Sequence, residues 1–87
     1  MKIEYYTADW CVPCKQFYPV VESLCKENNI ELVKVDITEK PYLAKDLNIK
    51  GVPTLIVKDN NEKIIATRVG SSTKEALDAF LAGCNNG

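Results

Sequence analysis

The chain has 87 residues, with 11 Lys and Arg against 12 Asp and Glu, and it contains four cysteines but no histidine. This length predicts one small domain over residues 1–87. The missing histidine excludes Ser-His-Asp and Cys-His catalysis as well as histidine-based metal sites. The net charge of −1 gives no electrostatic reason to expect nucleic acid or an anionic membrane as a partner.

The first half of the chain predicts a strand, a helix and a second strand. Residues Lys2–Thr7 alternate between two faces, which is typical of a strand. After a short turn, Pro13 suits the first turn of a helix that runs to about Asn28. Glu31–Asp36 predicts the second strand. The apolar stripe of the helix is formed by Phe17, Val20, Val21 and Leu24.

The middle of the chain predicts a short helix followed by two strands. Thr38 is expected to cap a helix over roughly Glu39–Leu47. Thr54–Lys58 is a nearly continuous apolar run, which is typical of a central strand. A turn rich in Asn then leads into a fourth strand over Lys63–Val69.

The last element is predicted to be a helix. Ser72 and Glu75 have the spacing of a capping box at its start, and Gly83 is expected to end it. The resulting order is β-α-β-α-β-β-α. We interpret it as an α/β fold with a four-stranded mixed sheet, in which two right-handed βαβ crossovers place helices on both faces.

Targeting signals and cysteine spacing bear on the compartment. No apolar run approaches the roughly 18 residues that span a bilayer, and no apolar targeting segment precedes the first strand. We therefore expect a cytoplasmic protein, although a mature form stripped of its signal would look similar. Cys25 and Cys84 are expected to be small apolar side chains, with a disulfide between them as the alternative. The close pair Cys11 and Cys14 is the expected place of chemistry.

The pair Cys11 and Cys14 lies three residues apart at the start of the predicted helix. The helix dipole and the unpaired N–H groups there favour an anion. A free thiol is only about 3% thiolate at pH 7, whereas a thiol with a pKa of about 7 is half ionised. We expect an exposed Cys11 sulfur to attack a substrate disulfide and a shielded Cys14 to attack the mixed disulfide that results.

Metal binding is the alternative use of two cysteines at this spacing. No second cysteine pair and no histidine completes a tetrahedral site. Cys25 lies 11 residues beyond Cys14, about 16 Å along the same helix, so it cannot share a metal with that pair. We expect no cofactor. A metal or iron–sulfur site shared between two chains, or a non-enzymatic docking module, stays open as an alternative.

Several motifs together resemble the thioredoxin family over essentially the whole chain. They are Trp10-Cys11-Val12-Pro13-Cys14-Lys15, Pro19, Gly51-Val52-Pro53-Thr54 and Arg68-Val69-Gly70. The resemblance implies that Cys11 is the nucleophile and that Cys14 is the resolving thiol. It also implies that Trp10 flanks the site and that Pro53 is a cis-proline facing the disulfide. Val52 would offer backbone hydrogen bonds to an extended substrate segment, and Gly70 would line the same groove.

The chain departs from the family pattern at three points. It begins at the strand that leads into the site, without the family's N-terminal strand and helix, so its size is nearer that of a glutaredoxin. Val12 stands where thioredoxins usually have Gly. Tyr5 replaces the buried Asp that is thought to help deprotonate the resolving thiol, while Lys34 matches the family's neighbouring lysine. Our hypothesis is that Cys14 is deprotonated through water or by neutral Lys34, and that thiol release is slower.

The expected function is thiol–disulfide exchange. The resemblance implies a monomeric reductase of disulfides in client proteins, recharged by an electron donor of the thioredoxin-reductase type. A glutaredoxin-like, glutathione-dependent reductant is the enzymatic alternative. Glutaredoxins usually carry Gly-Gly and an acidic residue near the last helix to bind glutathione. The sequence Val69-Gly70-Ser71-Ser72 stands there instead, which argues against that alternative.

Overall fold

The computed structural model describes residues 1–46 and 48–86. The elements, in chain order, are β1 (Lys2–Thr7), α1 (Val12–Glu27), β2 (Glu31–Asp36), α2 (Pro41–Asp46), β3 (Thr54–Lys58), β4 (Ile64–Val69) and α3 (Lys74–Asn86). The strands form one sheet in the order β2-β1-β3-β4. This confirms the predicted element order and the four-stranded mixed sheet. The predicted bounds of β1, β2 and β3 are also those observed.

The connections between strands differ from the prediction in one respect. Strand β1 is parallel to β2 and antiparallel to β3, and β3 is antiparallel to β4. The connection through α1 is therefore a βαβ crossover, to which the rule of right-handedness applies. The connection through α2 joins strands that run in opposite directions, so the prediction of two such crossovers was wrong.

The main core lies between one face of the sheet and the helices α1 and α3, which contact each other. Alternation along β1 and β3 turns Ile3, Tyr5, Leu55 and Val57 toward this core. The helices contribute Phe17, Val21, Leu24, Cys25, Leu77 and Leu81. The opposite face buries Tyr6 and Ile56 and is bordered by residues 48–51, which follow α2.

Helix α2 begins at Pro41 rather than at Glu39, since the N–H groups of Glu39 and Lys40 belong to a turn closed on the Asp36 carbonyl. The Thr38 hydroxyl accepts the Asp9 N–H at 3.1 Å and donates to Asp9 Oδ1 at 3.2 Å. It therefore joins two loops instead of capping the helix. Pro41 at the first helical position needs no partner for an N–H. The predicted end at Leu47 lies outside the described residues.

Helix α3 is capped by Thr73 rather than Ser72. The Thr73 hydroxyl accepts the Ala76 N–H at 3.1 Å, while the Ser72 hydroxyl donates to the Thr73 carbonyl. The helix continues through Gly83 to Asn86, so the predicted stop was wrong. Strand β4 begins one residue later than predicted, since Lys63 closes the preceding turn through hydrogen bonds with Asp59. No helix within the described part of the chain is both long and apolar enough to cross a membrane.

Candidate active site at the start of helix α1

The loop between β1 and α1 brings Cys11 to the N-cap position of the helix. The Cys11 N–H donates to the Ala8 carbonyl at 3.1 Å, which closes a turn directly after β1. Cys11 then has an extended backbone, with φ −93° and ψ 100°, and the helix starts at Val12. Pro13 lies in the first turn, as predicted, where its missing N–H has no intrahelical partner to lose.

Cys11 and Cys14 form a disulfide, with their Cα atoms 5.3 Å apart. The Cys11 Sγ accepts the Cys14 N–H at 3.2 Å, so the sulfur occupies the place of a capping oxygen. This contact and the positive end of the helix dipole both favour negative charge on Cys11 Sγ once the disulfide is reduced. No acidic residue lies in the first turn to oppose that charge.

The two cysteines differ less in exposure than the sequence suggested. Cys14 is completely buried, as expected, but Cys11 is also only 5% exposed. Cys11 and Cys14 pack with Ala8, Ile37 and Val52 in a small apolar cluster. The expectation of a freely exposed Cys11 sulfur was therefore wrong for the disulfide form, because loops from three parts of the chain surround it. Cys11 remains the more accessible of the two.

A second loop lies against the disulfide. The Val52–Pro53 peptide bond is cis, as the resemblance implied. The Val52 carbonyl oxygen lies 3.9 Å from Cys11 Sγ. The Pro53 carbonyl accepts the Gly70 N–H at 2.8 Å, and Gly70 has a φ of 95°, which favours glycine over other residues. Val52, Pro53 and Gly70 are thus connected to one another beside Cys11.

Comparison with known proteins is consistent with this geometry. Residues 2–83 match the family model for thioredoxin. The thioredoxins of Buchnera aphidicola subsp. Acyrthosiphon pisum and of Bacillus subtilis are each 38% identical to this chain over 78 residues. The matches cover 87% of this chain, and 71% and 74% of those proteins. The chain belongs to the thioredoxin family.

Solved thioredoxin structures agree. A mutant thioredoxin from Halobacterium salinarum NRC-1 superimposes with a TM-score of 0.83 at 30% identity, over 94% of this chain and 72% of that one. The oxidised mitochondrial thioredoxin 3 of Saccharomyces cerevisiae gives 0.81 at 25% identity, over 94% and 76%. With the disulfide formed by Cys11 and Cys14, family membership identifies the protein as a thiol–disulfide oxidoreductase.

Three exposed apolar side chains lie next in sequence to Cys11 or Gly70. Trp10 is 69% exposed, and Val12 and Val69 are also exposed. Large apolar side chains that face water beside a reactive group are typical of a docking surface. Trp10 and Val12 adjoin the cysteines in the sequence, and Val69 precedes Gly70.

Tyr5 contacts Cys14 directly, whereas Lys34 contacts a neighbouring aromatic ring. Tyr5 is completely buried, and its hydroxyl donates to the Cys14 carbonyl at 2.7 Å. Burial raises the pKa of Tyr5 to about 12. Lys34 is exposed, and its Nζ lies 4.9 Å from the centre of the Tyr18 ring, an arrangement that permits a cation–π interaction. The contact observed for Lys34 is therefore with Tyr18 rather than with a cysteine.

Sequence analysis missed Tyr18 and the pair formed by Asp9 and Thr38. Tyr18 follows Cys14 by four residues, and this spacing places both on the same side of a helix. This spacing could have indicated that Tyr18 lies near Cys14. The hydrogen bonds between Asp9 and Thr38 hold the loop that carries Trp10 and Cys11 to the turn after β2. Neither local sequence contains a signal for that contact.

Metal ligands are scarce near the site. Over residues 1–46 and 48–86, no group of three or more Cys, Asp or Glu side chains could hold a metal ion. A metal site at Cys11 and Cys14 would therefore need further ligands from a second chain.

Proposed function

We propose that this protein reduces disulfides in client proteins, with Cys11 as the nucleophile and Cys14 as the resolving thiol. The observation that carries the assignment is the N-cap position of the Cys11 sulfur, which accepts the Cys14 N–H at 3.2 Å. A sulfur in this position is favoured as the thiolate, and the thiolate is the attacking form. The complete burial of Cys14 suits a thiol that reacts only within the protein.

The reaction proceeds in two exchanges. The Cys11 thiolate attacks one sulfur of the client disulfide, and the other client sulfur leaves with the bonding electron pair and takes a proton. Cys14 then loses its proton and attacks the Cys11 sulfur of the mixed disulfide. The second client sulfur leaves as a thiolate and is protonated. The client has gained two electrons and two protons, and the pair Cys11 and Cys14 has lost them.

The client is expected to bind across the exposed apolar surface. Trp10, Val12 and Val69 would contact its side chains, while the backbone of Val52 would pair with an extended segment beside the disulfide. Pro53 and Gly70 support this arrangement through their mutual hydrogen bond. The surface presents large apolar side chains, so a protein or peptide is a better substrate than a small disulfide.

Deprotonation of Cys14 is the step in which this chain departs from its family. Tyr5 supplies no carboxylate, and its pKa of about 12 keeps the hydroxyl neutral at physiological pH. Lys34 Nζ faces the Tyr18 ring rather than the Cys14 sulfur. This arrangement supports water as the proton acceptor over neutral Lys34. The expected consequence is a slower resolving step than a carboxylate would give.

The two free cysteines bear on the compartment in which the protein works. Cys25 and Cys84 are free, and unpaired thiols suit a reducing compartment. We expect a monomer in the cytoplasm that is recharged by a donor of the thioredoxin-reductase type. Assays with glutathione and with a thioredoxin reductase, run separately, would distinguish this from a glutaredoxin-like cycle.

The direct test is trapping with Cys14→Ser. The variant should attack a disulfide of a protein substrate such as insulin. The reaction should then stop at the mixed disulfide, because no resolving thiol remains. Mass spectrometry should place the client on Cys11. A client found on Cys25 or Cys84, or no trapped species at all, would refute the assignment. Metal content and the absorption spectrum of the wild-type protein test the metal-binding alternative in the same preparation.

A further inference from the structure

A buried hydroxyl lies behind the resolving cysteine. The Tyr5 hydroxyl donates to the Cys14 carbonyl at 2.7 Å, and both residues are completely buried. Cys14 lies in the first turn of α1, whereas Tyr5 lies in the middle of β1. This hydrogen bond therefore joins the start of the helix to the sheet, directly at Cys14.

The ring of Tyr5 is itself held on two sides. Its centre lies 6.3 Å from that of Phe17 and 5.3 Å from that of Tyr18, the latter in an edge-to-face arrangement. The Lys34 ammonium faces the Tyr18 ring. Because the ring is packed on α1 as well as fixed to β1, the hydroxyl has little freedom to leave the Cys14 carbonyl.

We propose that Tyr5 is a positioning residue, which holds Cys14 through its carbonyl at the place from which its sulfur attacks the mixed disulfide. The inference rests on the proposed role of Cys14 as the resolving thiol. The step it concerns is the second exchange: the Cys14 sulfur bonds to Cys11 Sγ, the bond from Cys11 Sγ to the client sulfur breaks, and the client sulfur leaves with the electron pair.

Position matters here because the attack is intramolecular. A thiolate must approach along the axis of the disulfide that it breaks, and a small misplacement of the reacting atom lowers the rate. Cys11 leaves its contact with Cys14 when it bonds to a client, whereas the Cys14 backbone stays anchored to β1. The hydroxyl thus acts on the second exchange and not on the first.

Tyr5→Phe tests the proposal, since it removes the hydroxyl and keeps the ring with its contacts to Phe17 and Tyr18. Tyr6→Phe is the matched control. Tyr6 is the next residue of the same strand, is also buried, and donates its hydroxyl to Glu4 at 2.9 Å on the opposite face of the sheet. Both variants lose one hydrogen bond donated by a tyrosine hydroxyl, but only Tyr5→Phe loses one to Cys14.

The readout is rapid mixing of the reduced protein with dithiobis(nitrobenzoate), which releases one coloured thiolate at each exchange. All variants carry Cys25→Ser and Cys84→Ser, so that the two free thiols do not contribute. The first phase depends on reagent concentration and reports Cys11, and the second does not and reports Cys14. Tyr5→Phe should slow the second phase roughly three- to ten-fold, the size of one lost hydrogen bond. It should leave the first phase within about two-fold, and Tyr6→Phe should leave both phases unchanged.

Each other outcome overturns the proposal in an identifiable way. A second phase of wild-type rate in Tyr5→Phe, or an equal slowing in Tyr6→Phe, would refute the positioning role. Cys14→Ser is run alongside: if its second phase persists, the role of Cys14 itself fails, which is a different result. As a second measurement, Tyr5→Phe should shift the carbonyl carbon resonance of Cys14, and an unchanged resonance would show that the hydrogen bond is absent in solution.

Discussion

Two regions of this molecule carry cysteines, and the surroundings of the sulfur atoms differ between them. At the start of α1, Cys11 caps the helix and accepts the Cys14 N–H, and the two residues form a disulfide. Further along the same helix, Cys25 is a buried core residue, and Cys84 in α3 packs against that core. Both of these cysteines are free.

The difference shows that position on a helix decides the chemistry of a thiol. Burial among apolar side chains raises the pKa of Cys25 to about 11 and also raises the pKa of Cys84, because the thiolate loses its hydration. At the helix start, unpaired N–H groups replace part of that hydration. Cys11 is also buried to a large extent, so the N–H groups rather than exposure distinguish the two regions.

The largest expected effect is the loss of activity on replacing Cys11, compared with replacing the two free cysteines. Cys11→Ser should lower insulin reduction at least about a thousand-fold, because a serine hydroxyl is not ionised at neutral pH and cannot form the mixed disulfide. The double variant Cys25→Ser with Cys84→Ser should stay within about two-fold of wild type, since neither sulfur takes part in exchange. Comparable losses of insulin reduction in the two variants would contradict a catalytic role that is specific to Cys11.

The apolar surface around the active pair should have the next largest effect. Trp10→Ala should raise the KM for a protein disulfide about ten-fold, in line with the loss of an aromatic contact at the centre of an interface. Reduction of the Cys11–Cys14 disulfide by dithiothreitol should not change. Tyr42→Ala is the control, because Tyr42 is an aromatic residue of α2 that is 59% exposed. Equal effects of the two substitutions would contradict a docking role for Trp10.

Stability against pH gives the smallest effect and tests the second region. The pKa of Cys25 is about 11 in the folded protein against 9.0 as its ordinary value. Below pH 9 both states carry the thiol, and as the pH rises from 9 to 11 the unfolded state ionises first, so the wild type loses stability. Cys25→Ala should be about 1 kcal/mol less stable at pH 7.

The difference between Cys25→Ala and the wild type should then narrow as the pH rises from 9 to 11, because the variant lacks the titrating thiol. Urea denaturation at pH 7, 9 and 10.5, with the disulfide intact, measures this difference in the free energy of unfolding. A difference that stays constant would show that Cys25 ionises equally readily in the folded and unfolded states, and one that widens would show that it ionises more readily in the folded protein; either result contradicts the raised pKa.

Much of the fold could be predicted because its signals are local. Alternation over Lys2–Thr7 and the apolar run Thr54–Lys58 gave the strand bounds observed. The direction of β3 could not be read in the same way, because pairing partners are set by the whole sheet. The predicted caps of α2 and α3 were wrong for a related reason, because both depend on contacts that the local sequence does not determine. The Thr38 hydroxyl donates to Asp9, and Thr73, one residue nearer to α3 than Ser72, caps that helix.

The features of the site likewise divide into those that the local sequence predicts and those that depend on the whole fold. The spacing of Cys11 and Cys14 and the position of Pro13 are local features, and they predicted a cysteine pair at a helix start. The burial of Cys11 depends on Val52, which is 41 residues away and reaches the sulfur only through the fold. The partner of the Tyr5 hydroxyl depends on how β1 packs against α1, so the sequence revealed the missing carboxylate but not the hydrogen bond that stands in its place.

The most direct test is titration of the Cys11 thiolate in the reduced protein, followed by its ultraviolet absorbance or by its rate of alkylation, with Cys11→Ser as the blank. Stabilisation by the helix start predicts a titration midpoint clearly below that of a cysteine in an unstructured peptide. A midpoint at about pH 8.5, as in an unstructured peptide, would contradict the assignment of Cys11 as an activated nucleophile.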